Sequence, residues 1–161
     1  MPDGIVIRPA QAHELGEVLA FIRELAAYEH LADQVLTTEA DLAAALFGPR
    51  PCAEVVFACD DAQPVGFALF FHNFSTFRGK PGLYLEDLFV RPAARGRGIG
   101  RRLLAWLARS ALERGCARLE WAVLDWNAPS IAFYRKLGAL PQEEWTTFRL
   151  TDAALERLAR A

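Results

Sequence analysis

The sequence lacks any long apolar run, and this absence argues against a membrane-spanning helix. No stretch approaches the roughly 20 apolar residues that a membrane helix needs. The first residues, Met-Pro-Asp-Gly, have neither a basic region nor an apolar core, so we expect no signal peptide. A cytoplasmic location without membrane partners is the resulting expectation.

The sequence also has few metal-ligating and disulfide-forming residues. Its cysteines and histidines are scattered along the chain at Cys52, Cys59, Cys116, His13, His30 and His72. Three widely spaced cysteines match neither a disulfide framework nor a zinc spacing, and the histidines form no HExxH motif. We therefore expect no metal site.

Size and charge narrow the class of protein further. With 161 residues, 53% of them hydrophobic and 24% charged, the chain fits one globular domain spanning residues 1–161. The net charge of −2 argues against a general affinity for nucleic acid. Lysine is almost absent, but five arginines and no acid lie between Arg91 and Arg102. Such a block binds an anion or forms a solvated surface run.

Apolar periodicity and turn residues predict an alternation of strands and helices. The predicted strands are 4–8, 53–59, 65–73, 83–90, 117–124 and 145–150. The predicted helices are 12–28, a second one capped by Thr37 or Thr38 and ending at Phe47, a long one from Ile99 to about Gly115, and finally 129–137 and 152–160. This order indicates an α/β (α+β) fold, a mixed sheet with helices on both faces.

A glycine- and arginine-rich segment lies between a predicted strand and the long helix. Residues Arg95 to Gly100 read RGRGIG. Glycines let backbone N–H groups approach a ligand, and a helix N-terminus favours phosphate. The segment fits neither the Rossmann nor the Walker pattern. What remains is a different phosphate loop, R-x-x-G-x-G, or a flexible turn.

Two carboxylates interrupt the apolar strand LYLEDLFV. Glu86 and Asp87 are consecutive, and neighbouring side chains of a regular strand face opposite ways. One of them is therefore buried, which would raise its pKa toward that of a general base, or the strand lies at an edge with one carboxylate paired. A second segment, WNAPSIAFYRKLGA, places Asn127 at a helix start and Tyr134 one turn beyond Ser130.

Together these segments resemble a known superfamily. LYLEDLFV, RGRGIG and WNAPSIAFYRKLGA, in this register, are similar to GNAT N-acetyltransferases. More narrowly, YEHLADQVLTTEADL, FSTFRGKPGLYLEDLFV and AVLDWNAPSIAFYRKLGA resemble the spermidine/spermine N-acetyltransferase family, particularly its thialysine and diamine acetyltransferase branch. The similarity runs from about Ile5 to Leu150.

The resemblance implies a GNAT fold, with a mixed and mostly antiparallel central sheet, and acetyl-CoA as co-substrate. It implies Glu86 as proton acceptor and Tyr134 as proton donor to the leaving thiolate. The cofactor-binding residues that it implies are Leu88, Phe89, Val90, Arg95, Gly96, Arg97, Gly98, Ile99, Gly100, Arg101, Asn127, Ser130, Tyr134 and Lys136. The amine pocket that it implies consists of Tyr28, Glu29, Glu86, Asp87 and Trp145.

The acceptor follows from the same resemblance. The polyamine branch carries an Asp and a Trp where this chain has Ser75-Thr76-Phe77, which favours short diamines or lysine-like amino acids such as thialysine over spermine. The resemblance also implies a homodimer. The alternatives are a GNAT enzyme acting on a protein N-terminus, an antibiotic or another amino acid, and a CoA-binding regulatory module without turnover.

Overall fold

The computed structural model describes residues 4–161. They form two compact units, the first ending at Ala122 and the second covering Val123–Ala161. The first contains all five strands and three of the five α-helices, and the second contains the remaining two helices. Among the described residues, no helix combines the length and apolar character needed to cross a bilayer.

The strands of the first unit form one mixed sheet in the order β1-β2-β3-β4-β5. Their bounds are β1 (Ile5–Pro9), β2 (Glu54–Asp60), β3 (Gln63–Ser75), β4 (Lys80–Val90) and β5 (Leu119–Trp121). The first four are successively antiparallel, with Phe67 opposite Phe89, whereas β5 runs parallel to β4 with Glu120 opposite Tyr84.

The five helices have bounds close to those that the sequence predicts. Their bounds are α1 (Leu15–Tyr28), α2 (Glu39–Phe47), α3 (Ile99–Glu113), α4 (Ala128–Lys136) and α5 (Asp152–Ala159). Thr38 caps α2, because its Oγ1 accepts from the backbone N of Asp41 at 3.2 Å while its own N donates to the Asp41 carboxylate at 2.9 Å. Residues 12–14, predicted as helix, form a short 3₁₀ turn before α1.

Helices cover both faces of the sheet, as the sequence predicts. On one face, Val18 and Phe21 of α1 pack against Phe57 and Phe67 in a buried cluster that also includes α2. The stacked rings of Phe21 and Phe67 lie 5.0 Å apart. On the other face, Trp106 of α3 meets Phe70, with ring centroids 5.9 Å apart. Successive side chains of a strand face opposite sides of the sheet, so neighbouring residues belong to different layers.

Two sequence predictions about strands need correction. Residues 145–150 adopt no strand, and the predicted strand 117–124 is reduced to Leu119–Trp121. The segment from Trp145 has aromatic and β-branched residues that favour a strand locally, but a strand needs a partner for its backbone groups. Here the backbone N of Trp145 donates to Gln142 O at 3.2 Å in a turn.

Candidate active site

The segment after β4 leads the chain directly into the N-terminus of α3. A short turn, Pro92–Ala94, follows the strand, and the glycine-rich residues come next. Gly96 and Gly98 have φ of +80° and +72°, conformations that side chains other than glycine rarely adopt. Gly98 is the N-cap of α3, and the first turn of that helix carries no acidic residue. The first backbone N–H groups of α3, which have no partner within the helix, therefore lie at this loop. The positive end of the α3 dipole lies there too.

The loop has the space that a phosphate needs. A Cβ built on Gly96, Gly98 or Gly100 would meet no atom within 4 Å. Backbone N–H groups can thus be approached closely from outside, which is what a pyrophosphate requires. The residues present therefore fit the pyrophosphate of a CoA group.

The arginines of this region have distinct partners. Arg91 binds Glu17 at 2.7 Å and Glu24 at 3.1 Å, and so fastens the end of β4 to α1. Arg97 pairs with Asp60 at 2.6 Å. The Nε of Arg95 donates to Val90 O at 2.9 Å. Since Arg91 and Arg97 bind carboxylates, the backbone of the loop and exposed Arg101 are the stronger candidates for contact with phosphate.

A β-bulge resolves the problem of the two consecutive carboxylates. Leu69 of β3 faces Asp87 and Phe70 faces Leu85, so Glu86 is an extra residue in β4. A bulge changes the directions in which the side chains of a strand point. Both carboxylates can therefore lie next to the same site. Asp87 shares the α1 face with Leu69, and Glu86 is exposed.

Three carboxylates converge beside this bulge. Burial, together with the charges of Glu86 and Glu29, raises the pKa of Asp87 to about 6. Burial also raises the pKa of Glu29, which follows the last residue of α1. The negative end of the α1 dipole lies at the same place. Excess negative charge of this kind favours a cationic ligand.

The wall beside the carboxylates is aromatic. The rings of Tyr28 and Phe89 lie 6.4 Å apart, and the guanidinium of Arg95 lies 5.4 Å and 5.3 Å from their centroids. Tyr28, at the end of α1, is therefore held close to the end of β4. In the first unit, the structure thus brings together four predicted amine-pocket residues: Tyr28, Glu29, Glu86 and Asp87.

The sheet opens next to the same end of β4. Strand β5 pairs only with Leu83–Leu85, and no strand in residues 4–161 pairs with Glu86–Val90 on that side. On the opposite side, Leu88, Phe89 and Val90 remain paired with β3. Backbone groups of this stretch are therefore available to a ligand that lies along the opened edge.

The other predicted residues belong to the second unit. Asn127 is buried and caps α4, accepting from the backbone N of Ser130 at 3.4 Å. Tyr134 is half-buried, with its ring 5.6 Å from that of Phe133, and Lys136, at the end of α4, is exposed. Trp145 is 78% exposed. The Asn127 carboxamide thus has a capping role that its place before Pro129 already indicates.

Sequence reasoning missed a polar cluster around Tyr84, upstream of the bulge in β4. Arg118 and Glu120 pair at 3.0 Å beside Tyr84, and Asn73 donates to Glu120 at 3.4 Å. The charged pattern of ARLEW was visible, but the pairing partner of that segment was not. Among residues 4–161, no group of three His, Cys, Asp or Glu side chains is arranged to hold a metal.

A separate cavity of about 300 Å³ lies between β1 and α3. It is lined by Ile7, Arg102, Ala105, Trp106 and Arg109. None of these residues belongs to the carboxylate cluster or the glycine-rich loop, so this cavity is distinct from the candidate active site.

Comparison with known proteins identifies the family. The model of the acetyltransferase (GNAT) family matches residues 18–139, which include β4, the glycine-rich loop and α4. The chain belongs to the GNAT acetyltransferase family. It is an N-acetyltransferase, and its family uses acetyl-CoA as co-substrate.

Relatives similar over nearly their whole length share this family. The chain is 40% identical to thialysine N-epsilon-acetyltransferase of Bos taurus, with 96% of this chain and 97% of the relative covered. It is 30% identical to an L-ornithine N5-acetyltransferase of Arabidopsis thaliana, with 94% and 86% covered. Among solved structures, an integron cassette protein from the mobile metagenome of V. cholerae matches with a TM-score of 0.82 and 31% identity, covering 98% and 99% of the two chains.

Proposed function

We propose that this GNAT enzyme transfers the acetyl group of acetyl-CoA to a primary amine of a small diamine, polyamine or lysine-like amino acid. The convergence of Asp87, Glu86 and Glu29 beside the opened edge of β4 carries the proposal. Relatives named for thialysine and L-ornithine, both amines with a second charged centre, support it. The reaction proceeds by direct attack in a ternary complex.

The carboxylates overcome the main chemical obstacle. An alkylamine with a pKa near 10.4 is mostly protonated at pH 7, and its neutralisation costs roughly 4 to 5 kcal/mol. Glu86 accepts this proton, directly or through a water. Asp87 and Glu29 add the negative charge that holds the cationic acceptor, and Tyr28 lines the pocket.

Backbone groups and Tyr134 complete the transfer. The N–H groups of Leu88–Val90 stabilise the negative charge that develops on the thioester oxygen during attack by the neutral amine. As the carbon–sulfur bond breaks, Tyr134 gives its proton to the departing thiolate. Residues 95–101 hold the pyrophosphate, and Asn127, Ser130 and Lys136 bind the remainder of CoA.

An acceptor panel tests this function. Release of free thiol from acetyl-CoA is measured with lysine, thialysine, ornithine, short diamines, spermine and a peptide with a free N-terminus. We expect diamines and lysine-like amino acids to exceed spermine in kcat/KM. Turnover only with the peptide, or a preference for spermine, would show that another GNAT acceptor is correct.

One carboxylate variant sharpens the panel. Glu29→Gln removes charge from the pocket but not the proton acceptor, so it should raise KM for diamines more than it lowers kcat. Glu113→Gln, at the exposed end of α3, is the matched control and should change neither constant. An unchanged KM in Glu29→Gln contradicts the assignment of Glu29.

A further inference from the structure

The face of the sheet that carries Asp87 continues along β4 to a second polar group. Beyond the bulge, Tyr84 faces Phe71 of β3 on one side and Glu120 of β5 on the other. Cross-strand partners place their side chains on the same face, so Tyr84, Phe71 and Glu120 share the face of Asp87. The rings of Phe71 and Tyr84 lie 5.2 Å apart.

Charges from both polar groups, the carboxylates at the bulge and the group upstream of it, act on Tyr84. Burial raises the pKa of the Tyr84 phenol, and the charges of Glu86 and Glu120 raise it further. Tyr84 is opposite Glu120 in the sheet and two residues before Glu86 in β4, so it lies near both carboxylates.

The upstream group is built from both signs of charge. Arg118 Nε lies 3.0 Å from Glu120 Oε1, and Asn73 Nδ2 donates to the same oxygen at 3.4 Å. The side chains of Arg118 and Glu120 remain 46% and 34% exposed. A ligand can thus reach both, while Asn73 fixes the orientation of Glu120.

Gly82 makes room for this arrangement. A Cβ at Gly82 would overlap the Asn73 carboxamide and lie 3.5 Å from Cγ of Arg118. The amide and the arginine stem therefore pack directly on the backbone of β4. Glu120 is opposite Tyr84, and the backbone N of Leu83 donates to Arg118 O at 3.0 Å, so both residues lie beside β4 rather than beyond its end.

The spacing suits one class of acceptor. Strand residues rise about 3.3 Å each, so Tyr84 and Asp87 are roughly 7 to 10 Å apart along the bulged strand. This distance is comparable with the length of an extended lysine side chain. An amine placed at Glu86 and Asp87 would bring the α-carbon of a lysine-like molecule close to Glu120 and Arg118.

We propose that Arg118 and Glu120 form a specificity site that binds the α-carboxylate and the α-ammonium of a lysine-like amino acid. This inference rests on the proposed acetylation of a small amine and names its acceptor class. Arg118 binds the carboxylate and Glu120 the ammonium. A simple diamine carries only a cation at that end, so its ammonium gains Glu120 but is repelled by Arg118.

Three acceptors with the same spacing between the reacting amine and the α-carbon isolate the two contacts. L-Lysine carries both α-groups, cadaverine lacks the carboxylate, and 6-aminohexanoate lacks the α-ammonium. We expect the wild-type enzyme to acetylate lysine with the highest kcat/KM. Loss of a hydrogen-bonded charged contact should lower kcat/KM roughly tenfold to a hundredfold for each of the other two.

Two variants assign the contacts to residues. Arg118→Gln should remove the preference of lysine over cadaverine, and Arg118→Lys should retain most of it. Glu120→Gln should remove the preference of lysine over 6-aminohexanoate. Arg160→Gln, which breaks an exposed pair with Glu156 at 3.3 Å, is the matched control and should leave all ratios unchanged.

The outcomes separate this inference from the function on which it rests. If the wild-type enzyme acetylates none of the three acceptors, the proposed function itself fails. If it acetylates them but Arg118→Gln leaves the lysine-to-cadaverine ratio unchanged, the specificity site is overturned. Melting temperatures of all variants are measured alongside, and ratios between acceptors are unaffected by a loss of folded enzyme.

Discussion

Asp87 and Glu86 are adjacent in sequence but differ in their surroundings. Asp87 is largely buried with its pKa raised to about 6, whereas Glu86 is exposed in the bulge. An exposed carboxylate exchanges protons with water readily, while a buried one holds a fixed cation more strongly. This difference supports Glu86 as the proton acceptor and Asp87 as a fixed negative charge that holds the cationic acceptor.

The raised pKa of Asp87 predicts a pH-dependent gain of stability in Asp87→Asn. The folded protein holds this proton up to about pH 6, but the unfolded chain loses it near pH 3.8. Ionisation of Asp87 therefore costs stability above pH 6 and costs none below about pH 4. Urea unfolding should show the variant more stable by roughly 1 to 3 kcal/mol at pH 8 and similar to wild type at pH 4.

The control for this measurement is a surface carboxylate. Asp33→Asn, in the exposed turn after α1, should change stability little at either pH. An equal effect of Asp87→Asn at pH 4 and pH 8 would show that its burial does not penalise the charge.

Tyr134→Phe tests the proton donor. The change removes one hydroxyl and little contact area, so acetyl-CoA should still raise the melting temperature. Loss of a general acid should lower kcat on the order of 10² to 10⁴-fold. A variant with wild-type turnover would instead make Tyr134 a packing residue of α4.

At the scale of elements, the two ends of α3 allow a matched test of acetyl-CoA binding. Gly98 and Gly115 flank this helix with φ of +72° and +71°, and neither has an atom within 4 Å of an added Cβ. Replacement of either by valine should therefore cost similar stability, about 1 to 2 kcal/mol. Only Gly98 lies in the glycine-rich loop.

We expect acetyl-CoA at a hundredfold excess over its Kd to stabilise the wild-type protein by about 2.7 kcal/mol. Gly115→Val should show a similar thermal shift, and Gly98→Val should lose it because the valine side chain blocks approach to the loop backbone. The measurement is thermal unfolding with and without acetyl-CoA. A full shift in Gly98→Val would place the pyrophosphate elsewhere.

The whole molecule carries large apolar side chains on its surface, which predicts association into a homodimer. In the second unit, Phe148 is 92% and Leu140 79% exposed. Large apolar side chains that are exposed in the single chain favour burial against a partner. Sedimentation should give twice the chain mass of 17.9 kDa, and Phe148→Ser should weaken the dimer. The control is Phe77→Ser, at a residue that is 98% exposed in the turn between β3 and β4, and it should leave the dimer intact. A monomeric wild-type protein would contradict the prediction.

Much of the fold and the loop could be read from the sequence because local chemistry determines them. The capping pair of Thr38 and Asp41 marks the start of α2, and Gly48 its end. The glycines of RGRGIG set the loop conformation before α3 wherever the rest of the chain lies. Similarity of short motifs was sufficient to indicate the GNAT family, which the match over residues 18–139 confirms.

Only the tertiary structure decided the contacts between distant segments. Pairing of β3 with β4 placed Glu86 in a bulge and gave Asp87 the burial that raises its pKa. Salt bridges with Glu17 and Asp60 engaged arginines that the sequence shows only as a basic run. Residues 145–150 carry a strand-like pattern without forming a strand. Strand pairing and burial depend on residues far apart in the chain, and local preference does not specify them.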